Sequence, residues 1–105
     1  MKVIEHNKLV RDKIPKIIEE SGKQAVVYKE QGDKLLTYLN NKLQEELNEY
    51  KRNGDIEELV DLVEVIYAII HHKGVSLTEF EKLREEKISK RGGFKEGFVL
   101  VKVVE

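Results

Sequence analysis

The pair Asn53-Gly54 separates two long segments in the middle of the chain, and both have the apolar spacing of an α-helix. Before it, apolar residues recur three or four positions apart from Leu35 to Tyr50. After it, the next predicted helix is apolar over most of its circumference, which indicates a central position. Asn-Gly is a turn dipeptide, and only one proline and seven glycines interrupt the 105 residues. The sequence therefore predicts a helical hairpin at the centre of the fold.

A shorter helix is predicted on each side of this hairpin. The first follows Asp12, a good N-cap residue, with Pro15 in the tolerant first turn. The last opens with the capping box of Ser76 and Glu79 and ends at a Gly-Gly pair. The hairpin helices also begin at acidic residues that can cap a helix. The four predicted N-caps are Asp12, Asp33, Asp55 and Ser76.

Two segments outside the helices have the composition of β-strands. Residues 24–29 form a short β-branched run, and residues 98–104 are nearly all apolar, with valine at four positions. A bare apolar edge promotes aggregation, so we expect both strands to be paired, with each other as one option. The expected fold is mainly α: one domain over residues 1–105, an antiparallel bundle of about four helices with short strands near residues 24–29 and 98–104. Because the core of so short a chain is marginal, we expect oligomerisation to complete it, as a homodimer or a dimer of dimers.

Composition excludes several classes of function. The chain has no cysteine, which excludes disulfide scaffolds, thiolate zinc sites and cysteine nucleophiles. A net charge of -1 without a single basic face argues against a nucleic-acid polymer as partner. The longest uncharged apolar run near the middle, residues 65–70, is too short for a membrane span, and the N-terminus lacks the apolar stretch of a signal peptide. We expect a soluble, cytoplasmic domain.

Acidic residues are concentrated in the predicted hairpin. Residues 45–64 contain eight acids and two bases, a net charge of -6, so the other 85 residues sum to +5. On helical wheels, Glu46 and Glu58 fall inside the apolar arcs of their helices, and Glu49 and Asp61 lie at the borders. A carboxylate on a buried face is costly unless it is protonated, paired or bound to a metal ion. These positions therefore require a partner for the carboxylates.

The position of the turn predicts which carboxylates face each other. In an antiparallel hairpin, Glu49 lies level with Glu58 and Glu46 level with Asp61, so four carboxylates converge within about one helical turn, roughly 5 Å. Such close like charges repel unless a hard divalent cation such as Mg²⁺ lies among them. The alternative is an ordinary solvated acidic surface. That alternative does not explain why two carboxylates lie in apolar arcs or why acids of the two helices lie at matching levels. The sequence therefore favours a metal site.

The acidic motif, Glu45-Glu46-x-x-Glu49 followed by Glu58-x-x-Asp61, resembles the signature of the all-α nucleotide pyrophosphohydrolases. That superfamily includes MazG-type enzymes, dimeric dUTPases and phosphoribosyl-ATP pyrophosphohydrolases. Residues 7–15 (NKLVRDKIP) and 90–94 (KRGGF) resemble a small MazG-like subgroup labelled phosphoribosyl-ATP pyrophosphohydrolase-like, and the resemblance spans about residues 7–98. One departure is the eight-residue gap between Glu49 and Glu58, which is shorter than in the larger MazG enzymes and leaves less room for a loop that reads the substrate.

The resemblance implies a Mg²⁺-dependent hydrolase, with Mn²⁺ as a possible substitute. Water would attack the α-phosphorus of a nucleoside triphosphate to give a monophosphate and pyrophosphate, in nucleotide-pool house-cleaning. The implied metal ligands are Glu46, Glu49, Glu58 and Asp61. Glu45 and Glu46 are the implied catalytic carboxylates, Glu45 as a base or as a support for the ligands. An acidic site also needs cations to accept a triphosphate, and the candidates are Lys8, Arg11, Lys13, Lys87, Lys90 and Arg91.

Three other classes of protein are alternatives to a nucleotide house-cleaning enzyme. A phosphoribosyl-ATP pyrophosphohydrolase of histidine biosynthesis would use the same fold and mechanism. A non-catalytic helical interaction or regulatory protein requires only the apolar third helix and tail, and it leaves the four matched carboxylates unexplained. A ferritin-like di-iron protein requires Glu-x-x-His motifs, which the sequence lacks.

Overall fold

A computed structural model describes all 105 residues and has four α-helices joined by turns and extended segments. This confirms the mainly α prediction and the number of helices. None of the helices has the length and apolar content required to cross a lipid bilayer. The helices are α1 (Ile14–Glu20), α2 (Gly32–Asn53), α3 (Ile56–His72) and α4 (Leu77–Arg91).

The turn between α2 and α3 is where the sequence predicts it. Gly54 ends α2 in the left-handed conformation, with φ 70°, and its N–H donates to the Tyr50 carbonyl at 2.7 Å. A residue with a Cβ adopts this conformation only with strain, so glycine is well suited to this helix end. Asp55 then precedes α3 with an extended backbone, which reverses the chain. The turn sets the register on which the acidic site depends.

The hairpin of α2 and α3 is antiparallel and is held at both ends by hydrogen bonds. Nε2 of His72, at the end of α3, lies 2.9 Å from the Gly32 carbonyl at the start of α2. At the other end, the Asn53 side-chain amide donates to Glu58 at 3.1 Å. Between these ends lie the buried side chains of the protein, which are Leu39, Val65 and Ile70.

The helix starts agree with the predicted caps only in part. The Ser76 hydroxyl accepts a hydrogen bond from the Glu79 N–H at 3.1 Å, which confirms this cap of α4. Asp55 occupies the N-cap position of α3, but its side chain makes no capping hydrogen bond. The predictions for the other two helices are wrong: the N-cap positions are Lys13 and Gln31, and neither side chain makes a capping bond. Asp12 and Asp33 lie within two residues of the observed N-cap positions.

The two predicted strands are absent from the structure. Residues 24–29 and 98–104 are extended or irregular, without a ladder partner. A strand forms only when its backbone N–H and C=O groups pair with a neighbouring strand, and the single chain supplies none. One hydrogen bond, between the hydroxyls of Tyr28 and Tyr38 at 3.0 Å, links the first segment to α2. The apolar residues of the C-terminal segment are exposed.

A single chain does not enclose a core. The radius of gyration is 18.6 Å, against about 13 Å for a compact domain of 100 residues, and the longest dimension is 67 Å. Only three residues are buried, and α4 packs against α3 alone. On α3 an apolar stripe remains uncovered, with exposed fractions that fall from 73% at one end to 39% at the other. We call it the α3 stripe, and its residues are Ile56, Val60, Val63 and Tyr67.

Candidate metal centre

Three carboxylates meet between the two hairpin helices. Glu46 comes from α2, and Glu58 and Asp61 come from α3. One oxygen from each of the three side chains can be chosen so that all lie within 4.8 Å of one another. The Glu46 side chain has 12% of its surface exposed, compared with 43% for Asp61. We call these three residues the acidic cluster.

The hairpin register explains why these side chains meet. Glu58 and Asp61 are three residues apart on α3, so they share one face of that helix. Glu46 lies opposite Asp61, at the same distance from the turn. Because Leu39 and Val65 are buried on the same faces, the carboxylates lie at the edge of an apolar contact, where Glu46 is largely covered and Asp61 is 43% exposed. Their mutual repulsion is therefore less screened than on a free surface.

Hydrogen-bond donors surround the acidic cluster and offset its charge. The Arg11 guanidinium lies 2.7 Å from Asp61, and Asn53 donates to Glu58. Lys42 Nζ lies 3.5 Å from Glu46. Each member of the cluster thus has a polar partner within 3.5 Å, and two of these partners, Arg11 and Lys42, are cationic.

Glu49, the fourth predicted ligand, lies outside the acidic cluster. Its carboxylate pairs with Arg52, three residues further along α2, at 3.0 Å. This contact turns the side chain along its own helix, although Glu49 is level with Glu58 in the register. The structure thus brings together three of the four predicted ligands, and a ligand role for Glu49 stays a prediction.

The N-terminal segment brings two of the predicted phosphate-binding cations to the acids. Lys8 Nζ lies 3.3 Å from Glu45 on α2, and Arg11 contacts Asp61 on α3, so this segment bridges the two helices. These pairs join residues 37 and 50 positions apart in the sequence. The other four candidates are exposed and make no ion pair or hydrogen bond with the acids. They are Lys13, Lys87, Lys90 and Arg91.

The environment of Glu45 keeps its carboxylate ionised. Burial raises the pKa of Glu45, but the hydrogen bond from Lys8 and the charge of Lys42 outweigh this effect and hold the pKa below its ordinary value of 4.5. A carboxylate with a lowered pKa is a weaker base than an ordinary glutamate. Its chemistry is better suited to accepting hydrogen bonds and orienting a polar group than to holding a proton.

This shift predicts how the contribution of Glu45 to stability depends on pH. Its folded-state pKa is lowered, so its contribution is fully present above the unfolded value near 4.5 and is lost as pH falls through the folded value. We expect Glu45→Gln to lower the free energy of unfolding at pH 7, and the difference from the wild type to shrink below about pH 4.5. Urea unfolding of both proteins without metal, at several pH values, measures this. A difference that grows as the solution is acidified would contradict it.

The donor set of the acidic cluster fits a hard divalent cation. Mg²⁺ binds oxygen ligands at about 2.0–2.1 Å in octahedral geometry, which places ligand oxygens roughly 3–4 Å apart. The three carboxylate oxygens, within 4.8 Å of one another, approach this spacing. No histidine or cysteine takes part, so the site favours Mg²⁺ or Mn²⁺ over zinc or copper.

Two residues that contact Glu45 or the acidic cluster, Lys42 and Asn53, are not among the predicted site residues. Lys42 lies three and four positions before Glu45 and Glu46, a spacing that places it on the same face of α2. That signal was available in the sequence. The sequence predicts Asn53 only as a turn residue, and its contact with Glu58 depends on how the turn closes.

A small open cavity lies beside the acidic cluster. Its volume is about 190 Å³. It is lined by Arg11, Glu64 and three residues of the α3 stripe, which are Val60, Val63 and Tyr67. Pockets that enclose drug-sized ligands measure about 300–1,000 Å³. The single chain therefore offers Arg11 beside an apolar wall, but not an enclosed pocket.

Comparisons of the chain with protein-family profiles, with curated proteins and with solved structures find no match. The functional conclusion therefore rests on the geometry of the chain's own residues, together with the motif resemblance described above.

Proposed function

We propose that this protein is a Mg²⁺-dependent nucleoside triphosphate pyrophosphohydrolase that cleaves the bond between the α- and β-phosphates. The observation that carries the proposal is the convergence of Glu46, Glu58 and Asp61 between two antiparallel helices. The resemblance of the same residues to the nucleotide pyrophosphohydrolase signature supports the reaction class. The proposed setting is the cytoplasm, with nucleotide-pool house-cleaning as the role.

The acidic cluster would hold the cation. Glu46, Glu58 and Asp61 supply oxygens from two helices, and Glu49 could join them by leaving Arg52. Bound Mg²⁺ would neutralise charge on the phosphate oxygens and lower the pKa of a coordinated water. Because α2 and α3 are fixed to each other at both ends, the ligand positions are set before the ion binds.

Arg11 and Lys8 would receive the phosphates at the edge of the acidic cluster. A planar guanidinium makes two parallel hydrogen bonds to a phosphate, and an ammonium acts as a point charge. Arg11 lies beside Asp61 and also lines the apolar cavity, so it stands between the metal ligands and the space next to them. A bound triphosphate would replace the Asp61 carboxylate as the group that accepts hydrogen bonds from Arg11.

Glu45 would orient the attacking water. Its carboxylate is ionised, adjoins Glu46 in the sequence and lies beside Lys8. An ionised carboxylate accepts a hydrogen bond from water and can align its lone pair toward the phosphorus. The lowered pKa favours this orienting role over full removal of a proton.

We also propose that two copies assemble through the α3 stripe. In an isologous dimer the same apolar patch from each copy packs against the other, and a stripe on one helix suits this arrangement. A second copy over Val60, Val63 and Tyr67 would also deepen the open cavity beside Arg11. Strand pairing by residues 24–29 and 98–104 belongs to the same proposal, because only another chain can supply a ladder partner. A dimer of dimers is the larger form.

A non-catalytic interaction protein is the second candidate function. The observation that favours it is the amount of exposed apolar surface, which includes the α3 stripe and the residues of segment 98–104. Large exposed apolar patches are typical of surfaces that bind other proteins. This candidate predicts binding without hydrolysis, and it assigns no role to the acidic cluster.

A pyrophosphate-release screen tests the proposal. The substrates are standard, deoxy, oxidised and deaminated nucleoside triphosphates and phosphoribosyl-ATP, each with Mg²⁺, with Mn²⁺ and with excess chelator. We expect metal-dependent release of pyrophosphate from at least one triphosphate. Preferential cleavage of phosphoribosyl-ATP would assign the protein to histidine biosynthesis instead. A folded, assembled protein that releases no pyrophosphate from any of them would contradict the enzyme proposal and favour the interaction protein.

A further inference from the structure

Lys42 is the most covered of the cations that contact the acids. Only 17% of its side-chain surface is exposed, compared with 46% for Lys8 and 53% for Arg11. Its Nζ lies 3.4 and 3.5 Å from the two oxygens of Glu45 and 3.5 Å from Oε1 of Glu46. One ammonium thus serves two carboxylates, and one of them belongs to the acidic cluster.

The contacts of Lys42 are electrostatic rather than tightly directed. Charge-assisted hydrogen bonds between an ammonium and a carboxylate are usually about 2.7–2.9 Å long, shorter than any of these three distances. A lysine four residues before a glutamate also stabilises an isolated helix less than a glutamate four residues before a lysine does. Helix stability therefore does not account for this lysine at a covered position. Its effect is to neutralise charge next to Glu46.

Glu45 provides the ammonium with a second partner. If Nζ left Glu46, it could stay within reach of both Glu45 oxygens. Leaving Glu46 would then break one ion pair of Lys42, but the covered ammonium would keep Glu45 as a partner. Arg11 is less suited to the same role, because it is half exposed and exposed ion pairs contribute little.

We propose that Lys42 is an internal counter-cation that competes with the divalent ion for Glu46. In the metal-free protein its ammonium is shared between Glu45 and Glu46 and offsets part of their combined charge. Binding of the ion moves the ammonium off Glu46 and leaves it on Glu45, so Lys42 weakens metal affinity while it stabilises the metal-free fold. This inference rests on the proposed metal site and adds a regulator of its affinity.

Lys42→Met tests the competition, because methionine keeps the length of the side chain and removes the charge. The measurement is the dissociation constant of Mn²⁺, from the electron paramagnetic resonance signal of the free ion at fixed pH and salt. We expect the variant to bind Mn²⁺ about tenfold more tightly than the wild type, since a covered like charge near the ion is removed. Lys42→Arg, which keeps the charge, is expected to bind like the wild type.

Lys34→Met is the matched control. Lys34 is exposed in the first turn of α2 and makes no ion pair, so removing the same charge there should change the dissociation constant by less than about twofold. Unchanged or weaker Mn²⁺ binding by Lys42→Met would overturn the competition while leaving the enzyme proposal in place. Failure of the wild type itself to bind Mn²⁺ would overturn the metal site and, with it, the proposed function.

A second measurement uses the wild-type protein, in case Lys42→Met does not fold. Reductive methylation of lysines, read by mass spectrometry with and without saturating Mg²⁺, reports how accessible each ammonium is. We expect Lys42 to be methylated several-fold faster with Mg²⁺, because the ion leaves its ammonium with one carboxylate partner, Glu45, instead of two, and Lys34 to be unaffected. Equal or slower methylation of Lys42 would overturn the inference.

Discussion

Glu58→Gln is expected to lower pyrophosphate release by roughly 100-fold or more and to abolish the stabilisation by Mg²⁺. The substitution removes a ligand charge at nearly constant shape. Replacing residues that only hold metal ligands in place already lowers metal affinity or activity by about 10–100-fold. For the wild type, Mg²⁺ at a hundred times its dissociation constant should add about 2.7 kcal/mol to the free energy of unfolding. Steady-state kinetics and thermal unfolding with and without Mg²⁺ measure the two effects.

Glu57→Gln is the matched control for this experiment. Glu57 precedes Glu58 in the first turn of α3 but is exposed and lies outside the acidic cluster. The same chemical change there should leave activity and Mg²⁺ stabilisation near wild-type values. Activity of Glu58→Gln at the wild-type level would refute the proposed metal site, because Glu58 is one of its three converging carboxylates.

Val60→Asp is expected to convert the proposed dimer to single chains of 12.2 kDa and to reduce helix content. Val60 is 62% exposed in the single chain and lies within the α3 stripe. In an isologous interface the substitution occurs twice, and each copy loses apolar burial and introduces an unpaired charge. A total cost of about 4 kcal/mol raises the dissociation constant roughly 1,000-fold. Light scattering at micromolar concentration and circular dichroism measure these changes.

Val3→Asp is the control for the dimer experiment. Val3 is 76% exposed in the N-terminal segment and does not belong to the α3 stripe, so the same substitution there should leave the mass at the dimer value. A wild-type protein that is monomeric at micromolar concentration would refute the dimer. A Val60→Asp variant that stays dimeric would instead refute the α3 stripe as its interface.

The hairpin and its acids were accessible from the sequence because both depend on local spacing. Apolar periodicity located α2 and α3, and Asn53-Gly54 located the turn between them. Once the turn position is known, antiparallel geometry determines that Glu46 lies opposite Asp61. The predicted helix starts were less accurate, as at α1 and α2, because side-chain capping competes with backbone turns of similar energy.

The partners of the carboxylates were less accessible. Glu49 is level with Glu58 but pairs with Arg52, because a neighbour on the same helix is as near as the facing helix. Lys8 and Arg11 reach the acids from an irregular segment whose path no periodicity predicts. Side-chain choice among several partners depends on small differences in distance and solvation, which residue spacing does not contain.

The predicted strands fail in the single chain for a related reason. The composition of residues 98–104 favours a strand, but composition supplies only half of a ladder. The other half has to come from a neighbouring backbone, and the single chain places none beside it. Sequence preference therefore describes what this segment can form, while the arrangement of chains decides whether it forms.

By itself, the sequence determined the helices, the turn between α2 and α3, and which acids of the two helices lie at the same level. The helices and the levels follow from the repeat of an α-helix, and the turn follows from Asn53-Gly54. Only the tertiary structure decided that Glu46, Glu58 and Asp61 come together without Glu49, and that Arg11 from the N-terminal segment supplies opposing charge. The physical reason is that a helix repeat sets the direction in which each side chain leaves the backbone. Which of several nearby charges it then meets depends on how the packed helices and the N-terminal segment share the same space.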